Sequence, residues 1–148
     1  MVNTSTESQA KKAGLSHSEF VLPMRAYHED MDDVGVVYYT NYLKFMSRAR
    51  SEWLRHMEFD QATSIREKRL TFAVRKVIID FLRPAYLEDM LMVGATPQRV
   101  GPVSLDFEQK VSLASGELLC QGYVKLAFIH IDTFQLRKIP RDFIARLT

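Results

Sequence analysis

Residues 30–42 read DMDDVGVVYYTNY, which sets Asp30, Asp32, Asp33 and Gly35 directly ahead of a strongly amphipathic stretch. A carboxylate can take a proton from water or attack an acyl carbon itself. The first backbone N–H groups of a helix have no partner inside the helix and favour nearby negative charge. An acid side chain and free amides meeting at a helix start form an arrangement for chemistry on a carbonyl. The same residue types also build plain turns, because aspartates bond their own backbone and often precede glycine. On residue types alone both readings stand.

Other chemistries fit this chain poorly. A calcium loop starting at Asp30 would need an oxygen ligand at Val34 and a glutamate at Asn41. His28, His56 and His130 are isolated in sequence and His17 lies in the N-terminal stretch, so no zinc spacing is present and no metal site is expected. There is no Gly-x-Ser-x-Gly elbow, no Gly-x-Gly-x-x-Gly and no Walker-type glycine run. The lone Cys120 has no internal disulfide partner and sits in an apolar alternating run, where a buried, inert thiol is expected.

The elements that must hold the Asp/Gly segment follow from periodicity. Alternation from Phe20 to His28 predicts a strand that begins or is interrupted at Pro23. Tyr42, Phe45, Met46, Ala49, Trp53 and Met57 recur at spacings of three and four, which predicts one long helix with a broad apolar face, capped by Thr40 or Asn41. A shorter helical piece over 61–68 and a strand from Leu70 to Phe81, ended by Pro84, come next. Three further strands, over about 90–100, 103–113 and 117–131, are separated by Gly101-Pro102 and Ser115-Gly116. The turn spacing predicts an antiparallel meander, and the order β, long α, then four β predicts an α+β fold with the helix lying against one face of a curved sheet. Its exposed edges predict a homodimer that continues the sheet or packs helix to helix.

At 148 residues the chain suits one domain. Residues 1–19 are polar and lack the apolar core of a secretory signal, so they read as a mobile tail ahead of a domain over 20–148. The apolar run at 34–39 is far below the roughly 20 residues needed to span a bilayer, so no transmembrane helix is expected. A net charge of +2 with scattered basic residues argues against a nucleic-acid partner, while a phosphate-bearing small molecule still fits.

The segment RAYHEDMDDVGVVYYTNYLKFMSRARSEWL resembles the opening of the hotdog-fold acyl-CoA thioesterases of the 4-hydroxybenzoyl-CoA thioesterase type, through the pattern Asp-x-Asp-x-x-Gly-x-Val-x-x-x-Asn-Tyr leading into the central helix. It is similar again to the branch associated with the Tol-Pal cell-envelope system at TFAVRK, Thr71 to Lys76, at Pro84 with LEDML, Leu87 to Leu91, and near Arg99 to Leu105. The resemblance covers about 20–140. It implies a five-stranded antiparallel hotdog sheet wrapped on one long helix, and a cytoplasmic thioesterase acting on an acyl-CoA, or on an acyl carrier protein thioester, without a cofactor. It implies Asp32 as nucleophile or general base, Asp30 as its supporting partner, and polarisation of the thioester oxygen by backbone N–H at Tyr39 and the turn beginning at Gly35. Substrate contacts are implied at Tyr42, Val37 and Asp30, with Arg99 holding CoA phosphates across a subunit boundary as part of a homodimer or tetramer. Many members of the Tol-Pal branch carry His where this chain has Tyr39. The rival expectations are a non-catalytic hotdog domain that binds acyl thioesters or an envelope partner, and a hydratase on the same fold using His130 or His28.

Overall fold

The computed structural model describes residues 18–147. The expected mobile tail therefore lies outside the described residues, apart from Ser18 and Glu19. Strand β1 spans Phe20–Arg25 and a 3-10 turn covers His28–Asp30. The central helix α1 spans Asn41–His56. A short helical turn, Gln61–Thr63, continues as a π-helix, Ser64–Lys68. Strands β2 Leu70–Phe81, β3 Met90–Val100, β4 Ser104–Leu113 and β5 Leu118–His130 follow, and helix α2, Arg141–Leu147, closes the described chain.

The strands form one antiparallel sheet in the order β1-β3-β4-β5-β2. This corrects the simple meander: β3, β4 and β5 are consecutive neighbours, but β2 pairs with β5 at the far edge. The connection Leu82–Asp89 carries the chain between these distant strands, so short turn signals alone did not fix the position of β2. The first strand is also shorter than expected. It stops at Arg25, and Tyr27 begins the 3-10 turn with its backbone N–H donating to Asp30 Oδ2 at 2.8 Å. Pro23 lies inside β1 opposite Met92, a place proline can hold because β1 is an edge strand.

The apolar stripe of α1 packs on the sheet. Tyr42, Phe45, Met46, Ala49, Trp53 and Leu54 are buried with Leu91, Val93, Leu105, Phe107, Val111 and Val124 from the strands. Each large side chain removed from water in this way contributes about 1.5–3 kcal/mol. Trp53 meets Phe107 edge-on at 5.0 Å, and Phe59, Phe72, Phe128 and Phe143 fill the end of the core below the helix C-terminus. That placement puts Phe72 in an aromatic cluster away from the start of α1. Helix α2 has no counterpart in the sequence reading. It is fastened by Arg146, whose Nε donates to the Met57 carbonyl at 2.8 Å and whose Nη2 donates to Glu58 at 3.2 Å.

Candidate active site

Ahead of α1 the chain folds into a tight hairpin. Met31 and Val37 pair across it, the Asp32 N–H donates to the Val36 carbonyl at 2.8 Å, and Asp33, Val34 and Gly35 make the turn. Gly35 has φ +85°, a left-handed conformation that glycine adopts without a side-chain penalty. Its N–H donates to the Asp32 carbonyl at 3.3 Å, so the contribution of Gly35 is to shape the turn and not to supply a free amide.

The turn fixes the Asp32 carboxylate. Oδ1 accepts from the Val34 N–H at 2.9 Å and from the Val36 N–H at 3.2 Å. Oδ2 has no partner among the described residues. Asp32 is thus turn-forming through one oxygen and uncommitted through the other. The side chain is half-buried, neither sunk in the core nor fully in solvent.

Asp30 faces inward to its own segment. Its Oδ2 caps the 3-10 turn, and its carbonyl accepts from the Tyr38 N–H and from Asn41 Nδ2, both at 2.9 Å. Asn41 therefore does not cap α1 in the expected manner. Thr40 occupies the N-cap position and makes no side-chain cap bond. The backbone N–H groups of Tyr39 and Thr40 donate to no acceptor among the described residues, which leaves free donors at the start of α1, on the arm of the hairpin opposite Asp32.

Val37 and Tyr42 are buried, and the Val37 N–H donates to the Ala85 carbonyl at 2.9 Å. Desolvation pushes the Tyr42 phenol up to about 12, so it stays protonated. Around the free amides lies an aromatic rim. Tyr39 is 57% exposed and meets Tyr38 at 5.0 Å and Phe81 at 6.0 Å, and Phe81 meets Tyr42 at 5.7 Å. Phe81 was missed from the sequence because it enters from the end of β2, forty residues and a crossover away from the motif.

The structure thus gathers Asp30, Asp32, Gly35, Val37, Tyr39 and Tyr42 into one hairpin and helix start. Arg99 is not among them. It lies nine residues along β3 from Met90, roughly 30 Å at a strand's rise per residue. There it pairs in register with Asp106 and lines a cavity of about 240 Å³ with Lys76, Gln98, Tyr123 and Lys125. Within one protomer it cannot reach a thioester at Asp32. Among the described residues no group of three or more His, Cys, Asp or Glu side chains is arranged to hold a metal, and no helix is long and apolar enough to cross a membrane.

An antiparallel five-stranded sheet carrying one long helix, with a carboxylate and free amides at the helix start, defines a hotdog-fold protein of the thioesterase kind. The Thioesterase superfamily model matches residues 34–120, and the chain belongs to that superfamily. The acyl-CoA thioesterase YbgC of Haemophilus influenzae is 36% identical over 123 residues, covering 83% of this chain and 90% of its own length. The acyl-CoA thioester hydrolase YbgC of Escherichia coli O6:H1 is 36% identical over 126 residues, covering 85% of this chain and 93% of its own. A 1,4-dihydroxy-2-naphthoyl-CoA thioesterase from Synechocystis superimposes with a TM-score of 0.81 at 22% identity, covering 88% of this chain and 96% of that one, which attests the fold.

Proposed function

We propose that this protein hydrolyses acyl-CoA thioesters to the free acid and CoA thiol, with Asp32 as its reactive carboxylate. The observation that carries the reading is the presence of an uncommitted Asp32 Oδ2 and the unbonded N–H groups of Tyr39 and Thr40 on one hairpin and the helix start it leads into. Amides aimed at the oxygen that gains charge during acyl transfer lower the barrier by a few kcal/mol each. Two routes use these groups. In one, Asp32 takes a proton from water, the water oxygen attacks the acyl carbon, and the thiolate leaves with that proton as the carbon–sulfur bond breaks. In the other, Oδ2 attacks directly, the thiolate departs, and water then cleaves the mixed anhydride.

From the resemblance we extend the reading to a cytoplasmic enzyme of the 4-hydroxybenzoyl-CoA thioesterase type, in the Tol-Pal-associated branch, that acts on an acyl-CoA or on an acyl carrier protein thioester without a cofactor. The edge position of β2, with Val74, Ile78 and Phe81 exposed, supports a homodimer or a tetramer built from it, and the resemblance assigns Arg99 to the CoA phosphates across that subunit boundary.

Thiol release from acetyl-, butyryl-, octanoyl- and benzoyl-CoA tests the activity, using native chain, Asp32→Asn and Asp32→Ala with matched circular dichroism. The expected outcome is loss of turnover by about 10²–10⁴-fold in both variants. Unaltered turnover would remove Asp32 from the mechanism. Label found in the Asp32 carboxylate after a single turnover in ¹⁸O-water would establish the anhydride route with water attacking the aspartyl carbon, and a mixed anhydride trapped by hydroxylamine would establish it where water attacks the acyl carbon.

A further inference from the structure

Asn41 is the first residue of α1, a place where an asparagine is expected to point its side chain at the helix backbone or into solvent. Instead its Nδ2 reaches back eleven residues to the Asp30 carbonyl at 2.9 Å in a half-buried contact, while its own backbone N–H donates to the Tyr38 carbonyl at 2.9 Å. A carbonyl only accepts, so the group facing Asp30 is the amide N–H of Asn41. The Asp30 carbonyl takes a second bond from the Tyr38 N–H, which closes a ring running from Asp30 through the turn to the helix. The two functional parts of the site lie on either side of this closure. Asp32 is two residues beyond Asp30, and the free amides of Tyr39 and Thr40 immediately precede Asn41.

We infer that Asn41 is a positioning residue, whose side-chain amide sets the separation between the Asp32 carboxylate and the free main-chain donors at the head of α1. The inference rests on the thioester-hydrolysis reading of the same site. Other contacts hold the fold independently of its side chain: Val37 and Tyr42 are buried, the Val37 N–H donates to the Ala85 carbonyl, and the Tyr38 N–H donates to the Asp30 carbonyl. Cutting the clamp thus relaxes the hairpin against the helix without removing core. Misplacement by about an ångström between reacting groups can cost on the order of a hundredfold in rate.

Two variants test this, Asn41→Ala, which removes the donor, and Asn41→Asp, which keeps the shape and removes the donor while adding charge where a helix start tolerates it. With whichever of butyryl-CoA and benzoyl-CoA the native chain hydrolyses faster, both are expected to lower kcat by about 10–100-fold with KM within about threefold and Tm within a few degrees of native. In an Asp32→Asn background, Asn41→Ala is expected to cost less than about threefold more, since no carboxylate is left to register. A kcat within twofold of native in Asn41→Ala would overturn the inference, as would a loss that merely tracks the unfolded fraction. Failure of the parent reading has a different signature: full turnover in Asp32→Asn, or no turnover of either thioester by the native chain, removes the reaction and the positioning role with it.

Discussion

Arg50 donates from Nη1 to Gln109 Oε1 at 2.8 Å, and the same amide donates from Nε2 to the carbonyls of Met46 and Gly94, each at 3.1 Å. One fully buried glutamine on β4 thus ties α1 to β3. Burial pulls the guanidinium down to about 10, so Arg50 remains charged at neutral pH inside the fold. Gln109→Leu would fill the space but leave Arg50 without its acceptor and take one donor each from the carbonyls of Met46 and Gly94. A loss of about 2–4 kcal/mol is expected, read as a lower urea midpoint at unchanged slope.

Gly35→Ala isolates backbone strain in the turn beside Asp32. No atom lies within 4 Å of the Cβ that alanine would add, so only the φ of +85° opposes it. The expected cost is about 1–2 kcal/mol. Gly35→Asn should cost less because asparagine tolerates this region. Thermal melts rank the two, and kcat is expected to fall in the same order as the turn loses its hold on Oδ1.

The β2 edge makes assembly testable. Val74 and Ile78 are each 52% exposed on a strand that forms an edge of the sheet. Light scattering after size exclusion is expected to give twice the chain mass or a multiple of it, and Val74→Lys to shift the population toward monomer. A native chain that elutes cleanly as a monomer would contradict the dimer.

Cys120 tests burial by pH. Desolvation pushes its thiol up to about 12, whereas an unfolded cysteine ionises near 8.5. The unfolded chain therefore loses that proton first, and the stability tied to the buried thiol is present below about 8.5 and is lost as pH climbs toward 12. Melts at pH 7 and 10.5 should differ more for the native chain than for Cys120→Ala. At pH 8 a thiol-specific reagent should titrate Cys120 only after denaturant is added.

The sequence rendered some layers of this molecule better than others. The stripe from Tyr42 to Trp53 named the helix face that is buried, and the ends of β2 and β3 fall where Val, Ile and Phe give way to Pro84 and Gly101. These are local signals. The edge position of β2, the arrival of Phe81 beside Tyr39, and the fastening of α2 by Arg146 are set by long-range pairing, which no window of residues records. At the site, residue types announced an acid and a turn, yet only coordinates divide the labour between the two oxygens of Asp32 and turn Asn41 from a cap into a clamp. Arg99 carries the residue type for a phosphate contact across a subunit boundary, and within its own protomer the register of β3 places it at the other end of the sheet from Asp32.

The connector from Leu82 to Asp89 joins the free margin of the sheet to the reactive loop. Its Ala85 carbonyl holds the Val37 N–H, Tyr86 bridges to Val36, and Phe81 at its root touches Tyr39 and Tyr42. A second chain seated along that margin would brace the connector and through it the loop, so self-association is expected to raise turnover. Specific activity should then climb with enzyme concentration and plateau once the chains are fully mated.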